Sequence, residues 1–347
     1  MKNIINLLLL LSFSFLILSC SIQPSTPPSS PQVSTSTSIP QNTRPHLGTP
    51  ISLPEPKNET IIQQPTPNLP QVPKYGESYF TKKFELPKTI KETSGLIKLD
   101  HALWTFNDSG GKAILYQIDE HTGKILKTVN IKNAKNKDWE DIAYDDNYVY
   151  IGDIGNNRGN RKDLKIYKIP RASLRTQKNI NAEVINYHYA DQKNFVSRPK
   201  QHNFDAEAMV AHNNKLYIFS KNWQNNQTRL YELSTQTGKQ TAKNLSTFNI
   251  QGMVTAATLN KELNILLLTT YSSLLNVNVW AFSNYTNNDF FNGDKKQLNF
   301  TAPLQGQVEG ITFINSYKAY MSSEAIKKFI FSFNASLYEL DFSEEFE

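Results

Sequence analysis

The sequence contains one cysteine, Cys20, among 347 residues. A chain with a single thiol cannot form an internal disulfide, so its fold must be stabilised by an apolar core or by a bound ion. The six histidines form no pair at a spacing that suits a shared metal ion, which disfavours a zinc site. The net charge of +6 is spread along the chain without a basic and aromatic cluster, which argues against a nucleic-acid partner.

Local motifs of covalent catalysis are also missing. The sequence has no nucleophile elbow, no glycine-rich loop that would cradle a phosphate, and no Ser, His and Asp set that local context identifies. A triad can still be assembled in space, but the expectation of a covalent mechanism is lowered.

The chain begins with a pattern that is typical of a lipoprotein signal peptide. Lys2 is followed by an apolar stretch over residues 4–18 and then by Cys20. This stretch is too short to span a membrane comfortably. We therefore expect residues 1–19 to be a signal peptide and Cys20 to carry a lipid anchor, with a plain signal peptide and an incidental cysteine as the alternative. Ser21 favours the outer membrane of a Gram-negative bacterium.

The next segment, residues 20–74, is dense in Pro, Ser, Thr and Gln and has few side chains that could form a core. This composition predicts a disordered tether. Such a chain extends by up to ~3 Å per residue and would hold the following domain away from the lipid surface. The remaining residues, 75–347, have the length of one large all-β domain.

A short pattern recurs in this domain at intervals of about 50 residues, each time with a polar residue in its second column. The copies lie at residues 93–96, 139–142, 206–209, 254–257 and 308–311. The second column contains Ser94, Glu140, Glu207, Thr255 and Glu309. Each copy is followed by an apolar, aromatic run that ends in polar residues, which indicates a hairpin. A repeat of this kind is typical of a radially repeated fold.

Third and fourth strands can be recognised in the repeats, for example residues 229–233 followed by 247–250. The last repeat has only one further strand, at residues 336–342. We expect residues 80–86 to supply its fourth strand and to close the ring. The sequence therefore predicts a five-bladed β-propeller. A sixth blade in the longer interval between the second and third copies is the alternative.

Because a hairpin returns to the edge that it left, the polar column and the polar ends of the second strands should meet near the central axis. The carboxylates predicted to meet there are Glu140, Glu207, Glu309, Asp108, Asp153 and Glu324. Like charges in a narrow channel destabilise one another unless a cation, a protein base or bound protons offset them. Calcium suits such a set, since it accepts about six to eight oxygen ligands.

Two interpretations without a metal remain open. Each carboxylate could accept hydrogen bonds from backbone amides of the adjacent blade and so tie the blades together. Lys221 could also neutralise Glu207 or Glu309 across the channel.

The loop over residues 153–161 is the most distinctive of the chain. An arginine beside a cation site could clamp a phosphate or carboxylate group, so Asn156, Arg158 and Arg161 are candidate ligand-binding residues together with Lys221 and Glu324. The alternative is a turn whose polar side chains cap its own backbone.

The sequence resembles a family of exported bacterial propellers that includes the SdiA-regulated proteins and, more distantly, the phytase-like propellers. The motifs are ETSGL at residues 92–96, NDSG at 107–110, DWEDIA at 138–143, DIGNN at 153–157, DAEA at 205–208 and VEGI at 308–311. The resemblance implies a calcium-containing rim, with Glu140, Glu207 and Glu309 as first ligands and Asp153 and Asp108 next. The phytase-like branch implies metal-dependent phosphoester hydrolysis.

Two functions follow as expectations. The first is a lipid-anchored protein of the cell envelope that binds an envelope protein or a small anionic ligand at its calcium-bearing face. The alternative is a calcium-dependent hydrolase that acts on a phosphoester or a lactone at the same face. Open coordination positions beside Arg158, Arg161 or Lys221 would favour the hydrolase.

Overall fold

The computed structural model describes residues 79–272, 277–298, 307–328 and 331–346. The predicted signal peptide, Cys20 and the predicted tether lie outside these residues. The described part is all-β, with 23 strands, one α-helix, α1 (Arg171–Thr176), and one 3-10 helix (Ser343–Glu345). Within this part, no helix has the length and apolar character needed to cross a membrane.

Units of four antiparallel strands follow one another along the chain. The first contains β2 (Thr93–Leu99), β3 (Ala102–Asn107), β4 (Ile114–Asp119) and β5 (Ile125–Ile131). The second contains β6 (Trp139–Tyr144), β7 (Tyr148–Asp153), β8 (Lys165–Pro170) and β10 (Glu183–Tyr189). The short strand β9 (Asn179–Ile180) precedes β10 and pairs in parallel with β5.

The third unit contains β11 (Asp205–His212), β12 (Lys215–Lys221), β13 (Thr228–Ser234) and β14 (Gly238–Phe248). The fourth contains β15 (Met253–Asn260), β16 (Ile265–Tyr271), β17 (Val277–Ser283) and β18 (Asp294–Leu298). The fifth contains β19 (Val308–Phe313), β20 (Lys318–Ser323), β23 (Ser336–Asp341) and β1 (Tyr79–Glu85). A separate hairpin consists of β21 (Ile326–Lys328) and β22 (Phe331–Phe333). The fifth unit thus joins the first and last strands of the described chain, because β1 pairs antiparallel with β23.

The first strands of the units contact one another in turn. β2 contacts β6, β6 contacts β11, β11 contacts β15, β15 contacts β19, and β19 contacts β2. The apolar cores of the described part lie between consecutive units. In the first of these cores, Phe106 from β3 packs edge-on against Trp139 from β6, with ring centroids 5.3 Å apart. Each first strand therefore lies beside the first strands of two other units.

A β-bulge interrupts the first hairpin of every unit at the same point. The residues of the first strands that the ladder leaves unpaired are Gly95, Glu140, Glu207, Thr255 and Glu309. Bulges bend a strand and redirect its side chains. The bulge residue of the first unit is Gly95, so the sequence alignment that places Ser94 in this column is wrong by one position. Period-2 alternation cannot reveal the shift, because the bulge breaks that alternation.

The fourth strand of the third unit is longer in the structure than the sequence pattern predicts. β14 covers Gly238–Phe248, whereas the sequence pattern predicts a strand at residues 247–250. The strand begins early because residues 238–242 pair in parallel with β10 of the preceding unit. This pairing joins the second and third units into one continuous sheet. Between Glu140 and Glu207 the chain forms β7 to β10 and α1, and no additional four-stranded unit.

Candidate functional site

The carboxylates that converge most closely form two groups, and Asp108 belongs to both. Ligand oxygens of Asp108, Glu309 and Glu324 lie within 4.8 Å of one another, and those of Asp108, Asp138 and Glu140 do so as well. Glu140 and Glu309 are bulge residues, whereas Asp108 follows β3 directly. We call these five residues the acidic cluster. The structure thus brings together four predicted site residues and adds Asp138.

Burial makes the acidic cluster electrostatically unfavourable when all its members are ionised. Burial, followed by the charge of a neighbouring carboxylate, raises the pKa of Glu140 and Glu309 well above the ordinary value. Burial also raises the pKa of Asp108 to about 6. Burial and the charge of Asp108 raise the pKa of Asp138 and that of Glu324 to about 7. A cation among these groups would offset their repulsion.

Gly155 leaves room for two carboxylates of the cluster. A Cβ atom at this position would overlap Oε1 of Glu140 and lie 2.5 Å from Oδ2 of Asp138. Any other residue would therefore displace one or both carboxylates. The loop that follows β7 thus contributes to the acidic cluster by lacking a side chain at this point.

Glu207, the bulge residue of the third unit, is paired with a lysine. Nζ of Lys221, the last residue of β12, contacts Oε1 of Glu207, and the two side chains are 3% and 7% exposed, respectively. Nζ also lies 4.9 Å from the ring centroid of Trp223 and 5.1 Å from that of Tyr271. The other oxygen of Glu207, Oε2, is buried without a hydrogen-bond partner among the described residues. The protein itself therefore supplies the counter-charge to Glu207.

Hydrogen bonds between units are made by side chains that lie one or two residues from a bulge residue. Asp141 accepts a hydrogen bond from the backbone N–H of Met209 at 2.7 Å. Asp205 accepts one from the backbone N–H of Asn156 at 2.6 Å. The Ser94 hydroxyl donates to the backbone carbonyl of Glu140, the bulge residue of the second unit, at 2.6 Å. The tying role that the sequence suggested for the bulge glutamates is filled by these three side chains.

Arg161 and Asn156, in the loop after β7, are paired with other groups of the protein. Arg161 is 8% exposed. It forms an ion pair with Asp153 at 2.8 Å and donates a hydrogen bond to the carbonyl of Gly155 at 2.7 Å. Asn156 donates to the carbonyl of Phe204 at 2.8 Å and accepts a bond from the backbone N–H of Arg161 at 2.9 Å. Asp153 is outside both groups of the acidic cluster and faces a protein cation instead.

An open cleft borders the acidic cluster at Asp138. Its volume is about 410 Å³, and Lys137, Asp138 and Arg158 are among the residues that line it. Arg158 is exposed, and Lys137 pairs with Asp163 at 2.9 Å. An anionic group in this cleft would lie close to Arg158 and to the acidic cluster.

Sequence reasoning did not select Asp138, Trp223 or Tyr271 as site residues. Asp138 directly precedes β6 and lies two residues before Glu140, so its nearness in sequence to a predicted ligand points to it. Tyr271 ends β16 just as Lys221 ends β12, so strand position alone points to it. Trp223 lies beyond the strand end, and only the tertiary structure places its ring beside Lys221.

No protein-family model matches the chain, and no curated protein matches it. Solved structures that are similar to it include the PQQ-bound form of an aldose sugar dehydrogenase from Streptomyces coelicolor. The identity is 9%, the TM-score is 0.44, and the match covers 76% of this chain and 98% of that chain. At this identity and TM-score, the likeness identifies neither a family nor an activity. The resemblance to SdiA-regulated and phytase-like propellers stays a prediction.

Proposed function

We propose that the described part of the chain is a five-bladed β-propeller whose acidic cluster binds one divalent cation. The cyclic contacts of the five first strands and the pairing of β1 with β23 support the propeller. The main observation in favour of the cation site is that two sets of three carboxylates converge and share Asp108.

Calcium is the ion that suits this donor set best. All five side chains of the acidic cluster offer carboxylate oxygens, which hard divalent cations prefer. Zinc usually takes nitrogen or sulfur ligands, and the cluster has none. The missing side chain at Gly155 also favours a bound ion, because it lets the buried Glu140 carboxylate and the half-buried Asp138 carboxylate approach closely. The bound ion would supply a positive charge to the centre of this face.

The protein acts as a binding module that Cys20 anchors to a membrane, with the outer membrane of a Gram-negative bacterium as its location. The tether predicted over residues 20–74 would give the domain reach toward an envelope protein or a small anionic ligand. For the small ligand, the cleft beside Asp138 is the binding place, since the exposed Arg158 guanidinium would contact an anionic group there.

The same cleft supports a second candidate function, calcium-dependent hydrolysis of a phosphoester or a lactone. A cleft of about 410 Å³ beside the acidic cluster could admit such a substrate. Arg161 and Lys221 do not assist this function, because each is buried and paired with a carboxylate.

Metal content and thermal unfolding of the full chain test the cation site. We expect one calcium ion per chain, and a lower melting temperature after chelation. A ligand present at about 100 times its Kd stabilises a protein by about 2.7 kcal/mol. The Glu140→Gln, Glu309→Gln double variant should lose the ion and the response to chelator. Glu232→Gln is the matched control, since Glu232 pairs with Lys215 away from the cluster.

Absence of bound metal together with an unchanged melting temperature in chelator would contradict the cation site. If calcium binds, phosphoester and lactone substrates are then compared with and without chelator. Turnover that disappears with chelator and with the double variant would identify a hydrolase. Its absence would leave the binding module.

A further inference from the structure

The hairpins β11–β12 and β19–β20 place ionisable side chains at the same two positions. In the fifth unit, the bulge residue is Glu309, and Glu324 follows the last residue that pairs before the bulge. In the third unit, the corresponding residues are Glu207 and Lys221. An acid and an ammonium group therefore stand where the fifth unit has two acids.

The Lys221 ammonium is buried between protein groups and is not exposed to solvent. Its side chain is 3% exposed, and Nζ lies 4.9 Å from the ring centroid of Trp223 and 5.1 Å from that of Tyr271. Aromatic faces attract a cation at this range. The indole N–H of Trp223 donates to Asp205 at 2.8 Å, which holds that ring in place.

The surroundings of this ammonium offer more negative charge than one lysine can pair with. Oε2 of Glu207 is buried and has no hydrogen-bond partner among the described residues. Burial alone would lower the pKa of Lys221, but Glu207, Tyr271 and Glu309 outweigh it and raise the pKa well above its ordinary value. A divalent ion in the same place could use both oxygens of Glu207.

We infer that the Lys221 ammonium occupies a second cation position beside the acidic cluster and thereby limits the protein to one divalent ion. Glu207 is the carboxylate that would hold a metal ion at this position. The number of ions in the wild-type chain, one, rests on the proposed cation site of the acidic cluster. The position itself is defined by Glu207, Trp223 and Tyr271.

Terbium titration of the full chain tests this inference. Terbium binds at oxygen-rich calcium sites, and its luminescence is excited by an aromatic ring nearby. We expect one equivalent in the wild-type chain and two in Lys221→Ala, with the second ion close to Trp223. The emission excited through tryptophan should therefore rise in Lys221→Ala and fall again when Trp223→Leu is added. Calcium titration by calorimetry should give the same two stoichiometries.

Lys168→Ala is the matched control. Lys168 is also a buried lysine, 8% exposed, and its Nζ lies 4.0 Å from the ring centroid of Tyr148. This variant should keep the wild-type stoichiometry. A Lys221→Ala chain that binds no more ions than the wild type would overturn the inference. If the wild type binds none and Lys221→Ala binds one, the acidic cluster is not a cation site but the Lys221 position is.

Lys221→Glu provides a second variant in case Lys221→Ala does not fold in chelator. It gives the third unit two acids at the positions where the fifth unit has Glu309 and Glu324. The variant should fold in millimolar calcium with two bound ions. Failure of both variants to fold at any calcium concentration would mean that no cation can replace the ammonium, and the inference would be wrong.

Discussion

In the third unit Glu207 meets Lys221, whereas in the fifth unit Glu309 meets Glu324 at the corresponding positions. The first pair is neutral, because the protein supplies both charges. The second pair, joined by Asp108, carries only negative groups, and it must bind protons or a cation to become stable. The same bulged hairpin therefore serves either as a self-contained ion pair or as a candidate ligand site, depending on one residue at the end of its second strand.

Neutralising the bulge glutamate of each hairpin should change the stability of the metal-free protein in opposite directions. Glu207→Gln leaves the Lys221 ammonium buried without its counter-charge, and breaking a buried ion pair in this way costs about 3 kcal/mol or more. Glu309→Gln removes one of several repelling carboxylates, so the chelated protein should keep or gain stability. Urea unfolding in chelator measures both effects.

Calcium adds a second readout to these variants. Stabilisation by calcium should disappear in Glu309→Gln and persist in Glu207→Gln. Equal destabilisation by the two substitutions in chelator would show that the fifth unit is not electrostatically strained, and the comparison would fail.

Gly155 allows the acidic cluster to be disturbed while the Glu207 and Lys221 pair stays intact. Gly155→Ala forces Glu140 and Asp138 apart, and such overpacking costs about 1–3 kcal/mol. Calcium affinity should fall by about tenfold or more, equivalent to about 1.4 kcal/mol. Calorimetric titration measures the affinity, and urea unfolding measures the stability.

Gly111→Ala is the control, because a Cβ atom there meets nothing closer than a carbonyl oxygen at 3.8 Å. If Gly155→Ala binds calcium as tightly as this control, the ion does not lie between Glu140 and Asp138.

Glu324→Lys should convert the fifth hairpin into a copy of the third. The new ammonium can pair with Glu309, so we expect the chelated protein to gain about 1 kcal/mol of stability. The response to calcium should vanish, since the lysine would take the place of the ion. Thermal unfolding with and without calcium checks both results. Glu324→Gln separates loss of repulsion from the new ion pair, and a calcium response retained by Glu324→Lys would contradict the equivalence of the two hairpins.

The smallest expected effect of the acidic cluster is on the pH dependence of stability. The pKa values of Asp108, Asp138 and Glu324 are raised to about 6, 7 and 7, mainly by burial. Between the ordinary pKa and these values the folded chain binds more protons than the unfolded chain, so its stability falls as pH rises. In chelator the urea midpoint should decrease from about pH 5 to about pH 8. Saturating calcium should reduce this decrease, because the cation replaces the protons.

A midpoint that rises over the same interval in chelator would mean that other groups dominate the titration. Repeating the measurement with Glu324→Gln assigns the effect to the acidic cluster, since one of the three carboxyl groups with a raised pKa is then absent.

The strands and the convergence of the acids follow from local sequence. The period-2 pattern and the polar ends of the second strands predict hairpins whose polar ends share one edge, and Asp108, Glu140, Glu309 and Glu324 do lie together. The assignment of Ser94 to the same column fails because the bulge residue of the first unit is Gly95, and period-2 alternation does not continue across a bulge.

The partners of each charged side chain were harder to predict. Asp153 ends β7 and Arg161 lies eight positions later in the following loop, and both were candidates for binding an external ligand. In the structure they bind each other, because the loop folds back and buries the guanidinium. A loop conformation of this kind depends on contacts with residues 202–205 of the next unit, which local sequence does not encode.

The sequence by itself determined the repeated hairpins and the types of side chain at their ends. Local alternation, turn residues and chain length are sufficient for that, since they act over a few residues. The tertiary structure alone decided which acids share a space, which one receives a lysine, and where a glycine admits two carboxylates. These outcomes depend on distances between different units, where burial strengthens every charge interaction and a shift of one residue changes the partner.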